Sequence, residues 1–335
     1  MITSERKVDG YDGVSPFPRT ATPKPGPGPA TRIQVGLTGS IVLLPFVALG
    51  FAIWLAWGHG VTVTDLVLAV LLYLVTGFGV TVGFHRLLTH GSFAARPWLR
   101  VALAVAGSMS FQGNVLDWVA VHRRHHAFTD RPGDPHSPYR YGTSLRGQLR
   151  GLAHSHLGWL FRNDPTPADR YARDVLADPA LVRVARAFPA LCALSLALPF
   201  LAGWAISGGL YGGLTAFLWA GLIRVFLLQH VTWSVNSLCH VIGSRPFTTR
   251  RHDRSTNLWP LALPSFGESW HNGHHSDPTC ARHGLGPHET DISAGLISLF
   301  ERLGWVTDVR WPDPGRVEQR RRHEADAPGG ARTPA

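Results

Sequence analysis

Long parts of this chain carry no charge. There is no Asp, Glu, Lys or Arg between residues 33 and 57, between 66 and 84, or between 187 and 223. A helix crossing a bilayer core needs about 20 apolar residues, so runs of this length point to membrane spans rather than to the core of a soluble domain. The third run is interrupted by "SGGLYGG" at 207–213, where clustered glycines favour a turn. Four spans follow, at about 35–57, 66–86, 188–206 and 213–232. The apolar stretch 101–113 is too short to cross and reads as an interfacial or buried helix.

Cysteine is scarce as well. Cys192, Cys239 and Cys280 form no C-x-x-C pair, which excludes a disulfide framework and a self-contained iron–sulfur centre. No short apolar leader with a small-residue cleavage site stands near residue 20. That region reads "TPKPGPGPAT", so residues 1–34 are expected to be a disordered tail without a signal peptide. Residues 313–335 are charged, contain Gly and Pro, and are expected to be untethered.

Basic residues are missing from the loops "GHGVTVTD" and "SGGLYGG", although the formal net charge is +10. They cluster before the first run, after the second and after the fourth. The positive-inside rule then places both termini and both polar regions, 87–187 and 236–312, in the cytoplasm. Topology thus accounts for the basic balance without nucleic acid, and the aromatic interleaving of a single-strand groove is absent.

Histidine is abundant, with 18 in the chain, and nine fall into a few spacings. "HRLLTH" holds His85 and His90. "HRRHH" holds His122, His125 and His126, and "HNGHH" holds His271, His274 and His275. His240 follows Asn236 by four residues in "WSVNSLCH". By composition, H-x-x-H-H arises by chance about 0.05 times in a chain of this length, so two copies argue for a shared purpose. On a helix this spacing puts all three imidazoles on one face, and N-x-x-x-H does the same for an amide and an imidazole. A separation of five lies about 140° off in a regular helix, so His85 and His90 meet only if the helix ends or distorts between them. Nine imidazoles exceed one zinc site, and two ions would have four or five each. Two non-haem irons are the natural case, because iron changes redox state and activates oxygen.

The motifs "GFHRLLTHGSF", "HRRHHAFTDRPGDPHSP", "SHLGWL", "WSVNSLCHVIGSRPF" and "GESWHNGHHSDPTCARHG" resemble those of the integral-membrane fatty acid desaturases. The resemblance covers about 35–312 and is strongest to the acyl-CoA Δ9 (stearoyl-CoA) branch and its actinobacterial members. It implies an all-α membrane fold: four transmembrane helices in two hairpins with a cytoplasmic helical cap, in the bacterial cell membrane. It implies two irons held by the nine histidines, with Asn236 contacting one through water, and O2 as co-substrate. It also implies a long-chain acyl-CoA substrate of C16 or C18 in a bent tunnel, for which Gln112, Trp118 and Trp233 are candidate linings. No fused "HPGG" haem domain is present, so the electrons would come from a reductase, a ferredoxin or a cytochrome b5-like donor.

Asp130, Asp134, His136, His156, Glu268 and Asp277 are candidates to fix the ligand imidazoles, whose second nitrogen needs a partner. His59, His154, His230, His252, His283, His288 and His323 read as ordinary. Arg123 and Arg124 are expected to face outward. The pair Ala120–Val121 departs from the Arg-Asp pair that acyl-CoA members place there. Two rivals stay open: a di-iron hydroxylase of fatty acids or alkanes with similar histidine boxes, and a non-enzymatic metal-binding membrane protein.

Overall fold

The computed structural model describes residues 32–142, 144–162 and 164–321. It is helical apart from one two-stranded ribbon, in which β1 (Ala94–Ala95) pairs antiparallel with β2 (Val306–Thr307). Three helices are long and apolar enough to cross a membrane: Val63–Thr89, Phe188–Ser207 and Leu210–His240. The first expected span falls on α1 (Arg32–His59), whose apolar stretch Thr38–Trp54 is shorter.

The second apolar helix, α2 (Val63–Thr89), opens on a reciprocal cap. Thr62 N donates to Asp65 Oδ2 at 3.0 Å, and Asp65 N donates to Thr62 Oγ1 at 3.1 Å. Asp65 is only 1 % exposed and also accepts from Thr215 Oγ1 at 3.0 Å. From Gly79 to Thr89 the helix widens to π geometry. His90 N donates to His85 O at 3.1 Å, and Thr89 Oγ1 donates to Phe84 O at 2.8 Å. A bond from residue i+5 to residue i stacks the two over each other, and this is the distortion that the five-residue spacing of "HRLLTH" requires.

The widened helix packs on α3 (Pro97–Ser108), which occupies the short apolar stretch near 101–113. The two backbones touch at glycines. A Cβ on Gly79 would lie 2.1 Å from Gly107 N, and one on Gly107 would lie 2.8 Å from Gly79 O. Next come α4 (Val115–Phe128), capped by the Asn114 side chain, and α5 (Leu145–His156), capped by Ser144. Then α6 (Pro179–Arg186) leads into α7 (Phe188–Ser207), which ends on left-handed Gly208. The long helix α8 (Leu210–His240) packs back along α7 and carries a π segment of its own, Phe217–Ile223. Within it, buried Arg224 donates to Ser195 Oγ at 2.8 Å and to Met109 O at 3.4 Å, joining α8, α7 and the end of α3.

Apolar side chains point outward along α1, α2 and α7, among them Leu43, Val47, Leu66, Leu71 and Leu201. The buried core lies at the other end, where Phe84, Leu103, Val119, Leu181 and Ile297 pack together. Such an inverted distribution suits lipid against the outer faces and a folded cap beyond them.

Two short helices complete the cap, α9 (His271–Ser276) and α10 (Ile292–Arg302). The chain past 313 is not untethered throughout. Pro314–Arg320 forms α11, capped by Asp313; Arg320 donates to Ser276 O and pairs with Asp277 at 3.4 Å. Thr248 N also donates to Arg320 O at 2.7 Å. The rest of that expected tail, 322–335, and residues 1–31 of the expected N-terminal tail lie outside the described residues.

Gly79→Leu is expected to destabilise the protein by more than the usual overpacking cost of about 1–3 kcal/mol, because backbone rather than a flexible side chain stands in the way. Detergent-solubilised protein that stays monodisperse with an unchanged Tm would contradict this packing.

Candidate metal centre

All nine motif histidines converge at the cap-side ends of α2 and α8. Five of them, His85, His90, His122, His126 and His274, bring ligand nitrogens within 4.8 Å of one another. The other four, His125, His240, His271 and His275, do the same beside them. The H-x-x-H-H motifs therefore interlock. In α4 the first and last histidines join one group and the middle one joins the other. In α9 the assignment is reversed, with His271 and His275 in the four-membered group and His274 in the five-membered one. One helical face presents three imidazoles, as the spacing predicts, but divides them between two centres.

The Nε2 atoms of neighbouring rings stand face to face. His85 Nε2 lies 3.1 Å from His274 Nε2, His274 Nε2 lies 3.0 Å from His126 Nε2, and His126 Nε2 lies 3.1 Å from His122 Nε2. In the second group His271 Nε2 is 3.1 Å from His240 Nε2. Two nitrogens bound at about 2.1 Å on adjacent corners of a metal's coordination sphere stand about 3.0 Å apart. Both ring nitrogens of His90, and Nε2 of His125 and His275, are buried without a hydrogen-bond partner. Burial, reinforced by neighbouring imidazoles, holds His122, His126, His271 and His274 well below the ordinary pKa of 6.5. They are therefore neutral, with lone pairs available. This donor set fits a metal site.

Carboxylates hold the far side of four rings. His85 Nδ1 meets Glu268, His125 Nδ1 lies 3.1 Å from both oxygens of Asp134, His240 Nδ1 lies 2.8 Å from Asp130, and His275 Nδ1 lies 2.8 Å from Asp253. Each contact leaves Nε2 to point at the centre. Although burial alone would raise them, the facing His125 holds the Asp134 carboxyl well below its usual range, and His275 does the same for Asp253. Glu268 is fixed in turn by Arg86 at 3.0 Å, and Arg86 also pairs with Asp291 at 2.9 Å.

Of the residues expected from sequence to support the ligands, Asp130, Asp134 and Glu268 each meet Nδ1 of a motif histidine, and His136 stacks on His125 with ring centroids 4.4 Å apart. Asp277 instead meets Arg316 and Arg320. His156 meets Ser237 Oγ and His230 Nδ1, each at 3.0 Å, and touches no motif histidine. Two contributors are absent from the sequence reading. Asp253, in "RHDRSTN", follows no recognisable spacing. His283 reads as ordinary, yet it is fully buried, 4.3 Å from the His274 ring and 3.6 Å from Glu268; its place inside "GESWHNGHHSDPTCARHG" was the available signal. Arg123 and Arg124 do not face outward. They are 7 % and 9 % exposed, and their forks grip Asp174 and Asp164. Arg123 also donates to the carbonyls of Thr89 at 3.0 Å and Leu88 at 2.7 Å, which ties α4 to the end of α2.

A cavity of about 310 Å³ opens against the histidines. His85 and His122 of the five-membered group and His271 of the four-membered group all line it, as does Asn236. Gln112, Trp118 and Trp233 line it too, and Gln112 Nε2 donates across to Thr232 Oγ1 at 2.9 Å. Its wall includes Phe111 and Phe266, both with φ in the left-handed region, at 65° and 56°. Non-glycine residues carry such strain chiefly at functional sites.

The model of the fatty acid desaturase family matches residues 60–296. The chain belongs to that family. Among the relatives of this desaturase is a hex-5-enoyl-[acyl-carrier protein] acetylenase of Moorena producens (strain JHB), 35% identical over 281 residues, covering 83% of this chain and 87% of the relative. Another is an sn-1 stearoyl-lipid 9-desaturase of Anabaena variabilis, 37% identical over 249 residues, with 73% and 84% covered. Delta-9 acyl-lipid desaturase 1 of Arabidopsis thaliana is 39% identical over 254 residues, with 76% and 77% covered. The desaturase is therefore an oxidoreductase of lipid metabolism whose buried histidine clusters fit a metal site.

Asp253→Ala is expected to weaken metal retention about 10- to 100-fold by releasing the His275 ring, as read by metal content after dialysis against graded chelator. A pH dependence follows from the lowered histidine pKa values. Below about pH 6.5 the unfolded chain binds protons that the folded one excludes, so the metal-stripped protein loses stability as pH falls through that value. A Tm no lower at about pH 5.5 than at about pH 7.5 would contradict it.

Proposed function

We propose that the protein introduces a cis double bond at Δ9 of a saturated C16 or C18 acyl chain, using O2, two irons and two external electrons. One observation carries this reading: the apolar cavity is lined by histidines of both groups, so a methylene lying in it faces both centres at once. His85, His90, His122, His126 and His274 would hold one iron. His125, His240, His271 and His275 would hold the other, and Asn236, on the cavity wall, would contact it through water. Bound there, the iron pair supplies the oxygen activation that breaking an unactivated C–H bond demands and that no side-chain acid or base supplies at neutral pH.

The chain's own residues do the rest. Asp130, Asp134, Asp253 and Glu268 orient the imidazoles so that each Nε2 faces its centre. Trp118, Phe111, Trp233 and Phe266 give the acyl chain an apolar path and keep bulk water from it. The balance is one CH2–CH2 unit, one O2, two protons and two electrons giving one CH=CH unit and two waters.

The sequence reading assigns CoA as the carrier. A lipid-bound chain is the better supported alternative. Among the described lining residues there is no Lys or Arg to receive CoA phosphates, Val121 lines the cavity where acyl-CoA members carry a charge, and two of the relatives above are named for acyl-lipid substrates. Four spans, with α1 as the first, and a cytoplasmic cap complete the proposal, because α2 and α8 both end at the histidines on the arginine-rich side.

Expression in a host lacking its own desaturase, followed by mass-spectrometric location of the double bond, is expected to yield 9-unsaturated C16 and C18 chains. A hydroxylated product would favour the hydroxylase rival. Purified protein supplied with stearoyl phospholipid, stearoyl-CoA or stearoyl acyl-carrier protein is expected to turn over the phospholipid fastest. His125→Ala should lose both the double bond and metal of the four-histidine group; wild-type product and metal content in that variant would defeat the assignment.

A further inference from the structure

Two motif residues outside the nine histidines line the cavity beside them, His136 of "DPHSP" and Trp159 of "SHLGW". The fold brings them together. The His136 ring stacks on His125 at 4.4 Å with 27° between planes, and the Trp159 ring lies 5.4 Å from His136. His136 is buried and its Nδ1 has no hydrogen-bond partner, and Trp159 Nε1 has none either. His136 Nδ1 lies 3.9 Å from Asp134, and together the two rings form an aromatic line from a motif histidine to half-buried Trp159.

The chain segment that carries both rings has one sign of charge. From 135 to 162 the chain contains Arg140, Arg146, Arg150 and Arg162 and no Asp or Glu. All four arginines are exposed, and none is ion-paired with a carboxylate among the described residues. Arg140 and Arg162 lie close enough to His154 to add to the burial that lowers its pKa to about 4. The buried cations Arg86, Arg123 and Arg124 are each neutralised by carboxylates. This patch is not, so an acidic surface would complement it and be steered toward it.

We propose that Trp159 and His136 are the electron entry into the four-histidine centre, and that the surrounding arginines dock a small acidic one-electron carrier protein. This rests on the two-iron reading above. Each docking event oxidises the carrier by one electron and reduces the centre by one, and two such events supply the two electrons consumed per double bond. The stacked rings offer an electron a path through close π contacts instead of through saturated side chains or solvent. Both rings also line the cavity, so their part in transfer is measured with no substrate present.

The test uses full-length, iron-loaded protein in nanodiscs, reduced anaerobically by an acidic [2Fe–2S] ferredoxin and followed by the absorbance and EPR of the iron centre. His136→Leu and Trp159→Leu are expected to slow ferredoxin-driven reduction strongly. His136→Phe and Trp159→Phe, which keep a ring, should recover most of the rate. Arg140→Glu with Arg162→Glu should slow it about tenfold at low salt and abolish its salt dependence, because both act on charge-steered encounter. Iron content and reduction by dithionite should stay at wild-type levels in all of them. Leucine variants reduced by ferredoxin at the wild-type rate would overturn the proposal while leaving the two-iron reading intact. So would a charge-reversal pair that alters only the preference for phosphatidylglycerol over phosphatidylcholine nanodiscs, since the patch would then be a membrane contact. Wild-type protein that takes up no iron would overturn both readings.

Discussion

Nine buried imidazoles pointing at two small volumes set the terms for the rest of the molecule. Ring nitrogens 3.0–3.1 Å apart have the spacing of adjacent ligands on one cation, and each ring must also be held from behind to stay in place. Four carboxylates do this directly, and Arg86 extends the support from Glu268 to Asp291. The cap packs that polar lattice against its apolar core. Its largest fully buried side chains include Arg86, His125, His136, His240, His271, His274 and His283.

The same constraint explains the irregular backbone. A regular α-helix cannot aim His85 and His90 at one point, so α2 abandons α geometry for its last eleven residues. The π turn widens the helix, and the glycine contact between Gly79 and Gly107 lets α3 approach it closely enough to fill the space beside it. Asp130 adopts φ 57°, a position that Asp tolerates better than most residues, and from there accepts from Arg254 N while facing His240. Strain of this kind persists because several contacts over-determine it.

Charge is distributed by function. Arg123 and Arg124, between the histidines of "HRRHH", are structural clamps with carboxylate partners, and the cavity wall bears no basic residue among those described. Arginines without a carboxylate partner among the described residues collect instead on the 135–162 segment. Burying the first set costs desolvation that Asp174, Asp164 and backbone carbonyls offset. The second set stays hydrated and available.

Local periodicity made much of this legible. The uncharged runs, the i, i+3, i+4 histidine spacing and the misfit of a five-residue spacing are all consequences of helix geometry and bilayer thickness, so the sequence alone determined the helical class, the ligand types and the need for a distorted turn in α2. It could not determine which histidine joins which centre, because His274 and His275 are adjacent yet serve different groups. Nor could it pair Asp253 with His275, reveal His283, bury Arg123 and Arg124, or send Asp277 to α11. Those outcomes depend on contacts between residues as far apart as His85 and Glu268. Such contacts are fixed only when the helices pack, since no local rule relates the two positions along the chain.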